Sequence, residues 1–148
     1  LDGMVMAYVP SQTLMMGGGL GLDEVPARTV RVSHFYVDIH EVTNGQFSRY
    51  ASQGPYTAFY KPGLNEHHPV RNVTWFEAQA YGRWLSLKTK ENYRLLTEME
   101  WEHVASGGKG RPYPWGTRKI TNQTMANTRE SGIDETCAVG IFTPPGAC

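Results

Sequence analysis

The stretch Tyr93-Arg94-Leu95-Leu96-Thr97-Glu98-Met99-Glu100-Trp101-Glu102-His103-Val104-Ala105-Ser106-Gly107-Gly108 writes both ends of a helix into the chain. Thr97 can accept the backbone N–H of Glu100, and Glu100 can reach back to the N–H of Thr97; this reciprocal pair is a capping box. Gly107 and Gly108 supply residues that tolerate the positive φ closing a helix. The spacing predicts a short helix over 97–106. Met99, Val104 and Ala105 form its expected buried stripe, with Trp101 on the flank. Residues 93–96 enter as a short apolar segment able to lie against that stripe. This much defines a helix and its socket and names no reaction.

The same grammar recurs twice upstream. Thr43 with Gln46 opens a helix of about two turns that ends at Tyr50 or Ala51. Its Phe47 and Tyr50 are three apart and can pack together. Thr74 with Glu77 opens a longer helix reaching about Leu87. Trp75, Ala78, Tyr81 (or Gly82) and Leu85 mark its apolar face, with Trp84 beside it. Thr43, Thr74, Glu77, Thr97 and Glu100 are therefore the expected cap residues. Before the helices come strand candidates. Residues 4–9 form one, stopped by Pro10, and residues 13–16 a second, ended by Gly17-Gly18-Gly19. Residues 30–39 read as a single longer strand whose second half is apolar on the odd face. Phe35, Val37 and Ile39 are thus expected in the core.

Residues 53–69 lack periodicity and hold Gly54, Pro55, Pro62, Gly63 and Pro69, as a surface loop would. Tyr56, Phe59 and Tyr60 in that loop either pin it to the core or face a ligand. Arg111-Pro112-Tyr113-Pro114-Trp115-Gly116 is an extended segment anchored by Trp115.

The 148 residues fit one domain and suffice for one real core, since a chain this long buries about 70% of its unfolded surface. Fourteen basic residues balance fourteen acidic ones, which argues against a field that draws the chain to nucleic acid or an anionic membrane. Sixteen glycines, nine prolines and the aromatics (four Trp, eight Tyr, five Phe) describe a loop-rich, aromatic-pinned domain, not a helical bundle. No apolar run approaches the roughly 20 residues that cross a bilayer. Residues 1–20 lack the charged start and apolar core of a signal peptide, so either none was present or it was removed. Cys137 and Cys148 can pair or remain thiols.

Several words of the sequence, in order, resemble the formylglycine-generating enzyme family, also called sulfatase-modifying factors. Residues 94–102 resemble its Arg-Leu-Pro-Thr-Glu-Ala-Glu-Trp-Glu signature, with Leu96 in place of proline. Met4, Val5, Pro10, Met16 and Gly17 match its opening, where Ser11-Gln12 replace a glycine pair. Asp23, Glu24, Pro26 and Val30 match an Asp-Glu-x-Pro-x-x-x-Val segment, and Glu41-Val42-Thr43-Asn44 a Glu-Val-Thr-Asn word. His68-Pro69-Val70 with Val73-Thr74-Trp75, Tyr113-Pro114-Trp115-Gly116, Ala126-Asn127-Thr128 and Val139-Gly140-Ile141-Phe142 complete the set. The resemblance covers nearly the whole chain. It implies an α+β, C-type-lectin-like fold with short twisted sheets, three short helices and much irregular structure.

The resemblance also implies chemistry. The family's enzymes oxidise a protein cysteine to formylglycine with copper held by two cysteines. Those cysteines lie in words beyond this chain, so the copper role is not carried to Cys137 or Cys148, and the chain is expected to be an amino-terminal part of a longer domain. A calcium ion is implied with Asn127 giving a side-chain oxygen and Thr128 a backbone oxygen. The family's aspartate ligand falls on Ser131, with Asp134 a displaced substitute. The partners so implied are a protein or peptide ligand, or the missing carboxy-terminal half, with a lean towards a secreted or extracytoplasmic setting. Two other members of the resemblance are non-catalytic ligand displays, such as the variable proteins of diversity-generating retroelements, and iron-dependent sulfoxide synthases, whose separate helical metal domain is not seen here.

Other residues admit a functional and a plain account. His67-His68 could bind a metal, but adjacent side chains in an extended loop point apart. Asp38 and His40 share a strand face but lack a third ligand. Glu98 and Glu102 share a helix face and could do acid–base work, or one could meet Arg94 while the other faces water. Asn72-Val73-Thr74 and Asn122-Gln123-Thr124 fit the glycosylation triplet.

Overall fold

The computed structural model describes residues 3–17, 26–53, 65–117 and 126–142. Tyr56, Phe59, Tyr60, the Asn122 triplet, Asp23, Glu24 and Cys148 lie outside the described residues. The elements run β1 (Met6–Val9), β2 (Gln12–Met16), β3 (Arg28–Val32), β4 (Phe35–Asp38), α1 (Asn44–Ala51), α2 (Trp75–Thr89), α3 (Glu98–Ala105) and a 3-10 turn at Arg129–Ser131. This is a small α+β fold with short antiparallel sheets and three helices.

The expected strand over 30–39 is two strands. β3 pairs with β2 and β4 with β1, each antiparallel. Both ladders nevertheless keep one register. Val9 faces Phe35 at the end of one and Gln12 faces Val32 at the start of the other, leaving Pro10–Ser11 opposite Ser33–His34 in the gap. Proline has no N–H to give a ladder, so the ribbon breaks there. The Ser11 hydroxyl accepts the His34 N–H at 2.8 Å and patches the break. The buried face changes parity across it. Leu14, Met16 and Val32 are buried on the even face, whereas Phe35 and Val37 are half-buried on the odd face and Tyr8 and Tyr36 point outward. Ile39, expected inside, is exposed just past the end of β4, where its N–H donates to Val5 O at 3.0 Å.

All three helices open on a threonine whose hydroxyl accepts the N–H three residues on, with the return bond from Gln46, Glu77 or Glu100. Around α1 the orphan donors of the first turn are all accounted for. Asn44 N–H goes to His68 O (2.8 Å), Gly45 N–H to Glu66 O (3.0 Å), Gln46 N–H to Thr43 Oγ1 (3.2 Å) and Phe47 N–H to Thr43 O (2.9 Å). Gly45 suits this docking, because a Cβ there would lie a tight 3.2 Å from Glu66 O and push loop 65–70 outward by a few tenths of an ångström. The Thr74 cap on α2 is exposed and local. Thr74→Ala is expected to cost about 1 kcal/mol and Thr74→Ser to recover most of it. Urea unfolding of both variants checks this, and a cost near zero for the alanine would show the cap to be idle.

α1 and α2 pack through rings. Tyr50, Tyr81 and Leu85 form the buried cluster, with Phe47, Trp84, Tyr93, Val42, Met4 and Ala80 packed on it. Tyr81 stacks on Phe47 (5.6 Å) and Trp84 (5.8 Å) and meets Tyr50 edge-on (5.8 Å). Trp75, assigned to this face from its spacing, is instead 58% exposed. It is the first residue of α2 and lies edge-on to exposed Phe76.

α3 packs on the β2–β3 ladder. Its buried side is not the apolar stripe the spacing suggests. Glu100, His103 and Ser106 are buried, while Trp101 is 64% exposed and Val104 also faces out. The ring edge of His103 meets Phe35 of β4 with centroids 6.4 Å apart, so α3 touches both halves of the ribbon. Glu102 Oε1 accepts Gly17 N–H at 3.1 Å, and Gln12 Nε2 donates to Gly108 O at 2.7 Å. Gly108 has φ +66, a left-handed conformation that strains most side chains, and a Cβ there would displace the Gln12 amide from 2.6 Å, so the helix end favours glycine.

Candidate functional site

A cleft lies between the ribbon and the chain leading from α2 to α3. It encloses about 420 Å³ and is lined by Met6, Phe35 and Tyr36 on one side and by residues 91–94 and Leu96 on the other. Ser86 fixes its second wall. The Ser86 hydroxyl accepts Tyr93 N–H at 2.8 Å and lies within donating distance of Gly82 O (2.9 Å) and Tyr93 O (3.2 Å). Tyr93 is thereby held against α2, and Arg94 is delivered to the lip of the cleft.

Arg94 does not meet Glu98 or Glu102. Its guanidinium grips Glu100 with two bonds of 2.7 Å. The same carboxylate accepts the Thr97 N–H at 2.8 Å and the Thr97 hydroxyl at 3.0 Å. Arg94, then the Thr97 donors, outweigh burial and hold Glu100 at about 2, well below its usual range. It remains a carboxylate at any ordinary pH, so it positions and does not donate protons. Its bond to Glu100 in turn raises Arg94. Glu77, on α2, is also lowered by the Thr74 N–H and hydroxyl.

Tyr36, exposed on the rim, lies 5.4 Å from the ring of Tyr8 directly across the ladder, and His34 lies 6.0 Å beyond Tyr8. The cleft thus joins an apolar floor, an exposed aromatic pair and a clamped guanidinium. That combination suits binding; among the described residues it offers no nucleophile–base pair.

A second, smaller cleft of about 260 Å³ collects Asp38, His40, Glu41, Arg49, Glu66 and His67. Among the described residues no three His, Cys, Asp or Glu side chains converge to hold a metal ion. Asp38 Oδ1 accepts the His40 backbone N–H at 3.4 Å, a turn contact. The two histidines part company: His68 Nδ1 meets Thr136 Oγ1 at 3.0 Å, and His67 O accepts Val139 N–H at 2.9 Å. Both join loop 65–70 to the segment 126–142.

In that segment the Asn127 amide Nδ2 donates to Glu135 O at 2.7 Å and lies 3.4 Å from Cys137 Sγ. The Ser131 hydroxyl donates to Thr128 O at 2.6 Å and lies 3.4 Å from Asn127 Oδ1. The two oxygens implied for calcium therefore converge, but on a hydroxyl. Two such oxygens and a hydroxyl, with no carboxylate, fall short of the roughly six to eight oxygens that Ca²⁺ takes. Ser131, on which the resemblance places the family's aspartate, brings a hydroxyl that donates to Thr128 O, a role that the sequence position alone does not show.

The Sulfatase-modifying factor enzyme 1-like domain family matches residues 2–144 of the chain. The chain belongs to this family. Serine/threonine-protein kinase Pkn1 of Chlamydia trachomatis serovar L2 is 33% identical over 135 residues, covering 75% of this chain and 21% of the kinase. Formylglycine-generating enzyme of Thermomonospora curvata is 28% identical, covering 95% of this chain and 65% of the enzyme. The structure of PvdO from Pseudomonas aeruginosa superposes with TM-score 0.77 at 24% identity, covering 97% of this chain and 64% of that one. This sulfatase-modifying-factor-type chain therefore spans about a fifth of the kinase and just under two thirds of the other two. Among its described residues no helix is long and apolar enough to cross a membrane.

Proposed function

We propose that this chain is the scaffold and substrate-docking part of a formylglycine-generating-enzyme-type domain, within a longer protein that oxidises a target-protein cysteine to formylglycine. The observation that carries this is the family match over 2–144 around a formed cleft whose described lining is apolar and aromatic with a clamped guanidinium at its lip. Cys137 supports the division of labour, since it lies beside the Asn127 amide and is not among the residues lining the cleft. Copper, when bound by the two further cysteines the family implies, would supply the oxygen chemistry. In the overall change the substrate CH2–SH becomes CHO. Dioxygen and two electrons with two protons from a thiol reductant are consumed, and hydrogen sulfide and water leave. This chain's part is to seat the peptide along the Met6–Tyr36 wall.

The test incubates the full-length protein and the 148-residue chain with a cysteine peptide, Cu(I), oxygen and a thiol, and captures aldehyde with an aminooxy probe. Aldehyde is expected from the full-length protein alone. Aldehyde from the short chain would remove the scaffold assignment, and none from either would remove the oxidase reading. In that last case the exposed Tyr8–Tyr36 pair supports a second reading, a non-catalytic lectin-like module that binds a glycan or peptide.

A further inference from the structure

The segment 127–137 is built around a buried side chain that donates a single proton. Ser131 ends the 3-10 turn, is 3% exposed, and is followed by Gly132 at φ 66. The orientation of Asn127 is settled by its partner, because only the NH2 end of the amide can donate to Glu135 O at 2.7 Å. Its Oδ1 must then face Ser131. Thr128 O faces the same point at 2.6 Å. Two electron-rich oxygens aimed at one buried position need a positive or proton-bearing group between them.

We infer that the Ser131 hydroxyl does the work of a cation here, so that this loop holds its fold without calcium. The hydroxyl hydrogen goes to Thr128 O; the Asn127 oxygen, at 3.4 Å, is close enough to be attracted and too far to be a full bond. A carboxylate in the same place would set negative oxygen against both neighbours, and only a bound cation would relieve that. Position 131 therefore decides whether the loop requires a metal: a hydroxyl frees it, a carboxylate binds it to one. The loop is tied to the body by the His68–Thr136 and His67–Val139 contacts, so its integrity reads out in global stability.

Thermal unfolding with a chelator and with millimolar calcium chloride, together with calcium titration calorimetry, tests this on wild type, Ser131→Ala and Ser131→Asp. Wild type is expected to show the same Tm in both buffers and no heat of calcium binding. Ser131→Ala is expected to lose about 3 to 6 °C in both, from the lost hydroxyl bond, which leaves Thr128 O with the backbone N–H of residue 131 and Asn127 Oδ1 with no proton-bearing neighbour. Ser131→Asp is expected to be destabilised in chelator and to recover in calcium, by mass action. A calcium-dependent rise in the wild-type Tm would overturn the inference even if neither variant folds. So would an unchanged Tm for Ser131→Ala, or a Ser131→Asp chain indifferent to calcium.

Discussion

Replacing Tyr81 by alanine is expected to lower the stability of this domain by about 3 to 5 kcal/mol, the range for truncating a buried aromatic. Tyr81 is 4% exposed and touches three other rings, so its loss opens a cavity between α1 and α2. The side chains around that cavity belong to two helices already fixed by caps at Thr43 and Thr74, which limits collapse. For a chain of this size the loss corresponds to a fall in Tm of about 10 °C or more. Leu87→Ala on the exposed side of the same helix is the control, expected within about 0.5 kcal/mol of wild type. A loss below about 1 kcal/mol for Tyr81→Ala, by urea unfolding, would show that the rings are not the centre of the core.

The second large effect is an acid transition owed to Glu100. Its folded pKa is about 2 against an ordinary 4.5. A group whose folded pKa is depressed stabilises the native state above its unfolded pKa and loses that contribution as pH falls through the folded value. The Glu100 contribution should thus be complete above about pH 4.5 and vanish progressively towards pH 2. With Arg94 half exposed, solvent screening trims it to about 2 to 3 kcal/mol. Glu100→Gln should lose that amount at pH 7, because its NH2 meets donors from Arg94 and Thr97. It should also flatten the acid limb of a stability-against-pH curve. If wild type and Glu100→Gln lose stability in parallel between pH 4.5 and 2.5, the bond network around Glu100 does not control the acid limb.

What was legible in the sequence was local. Each capping box needs only four consecutive residues, so Thr43, Thr74 and Thr97 mark their helices without help from the rest of the chain. The ribbon was half legible. Its apolar residues change parity between Val32 and Phe35, and Pro10 sits opposite, but a pattern of single residues cannot show that both halves keep one register. The face of α3 was misjudged for a physical reason. Hydrophobic spacing assumes that a buried position is apolar, whereas Glu100 is buried because Arg94 and Thr97 satisfy its oxygens. Trp75 misled in the same way, since a cap places the first helical residue at the rim. The resemblance groups Asn127, Thr128 and Ser131, but the donation from the Ser131 hydroxyl to Thr128 O was out of reach, because it forms only after the Arg129–Ser131 turn closes.

The broken ribbon carries one more implication. Among the described residues each of its halves has two strands and no third, so along every strand alternate amides and carbonyls look away from the partner. Those outward groups are a template on which another extended polypeptide can lay itself. Inside a larger protein that template is a seam for neighbouring chain to join; in a preparation of this segment alone it is where molecules would begin to zip together, and a lysine placed at Met15, whose side chain already faces water, is the natural guard against it.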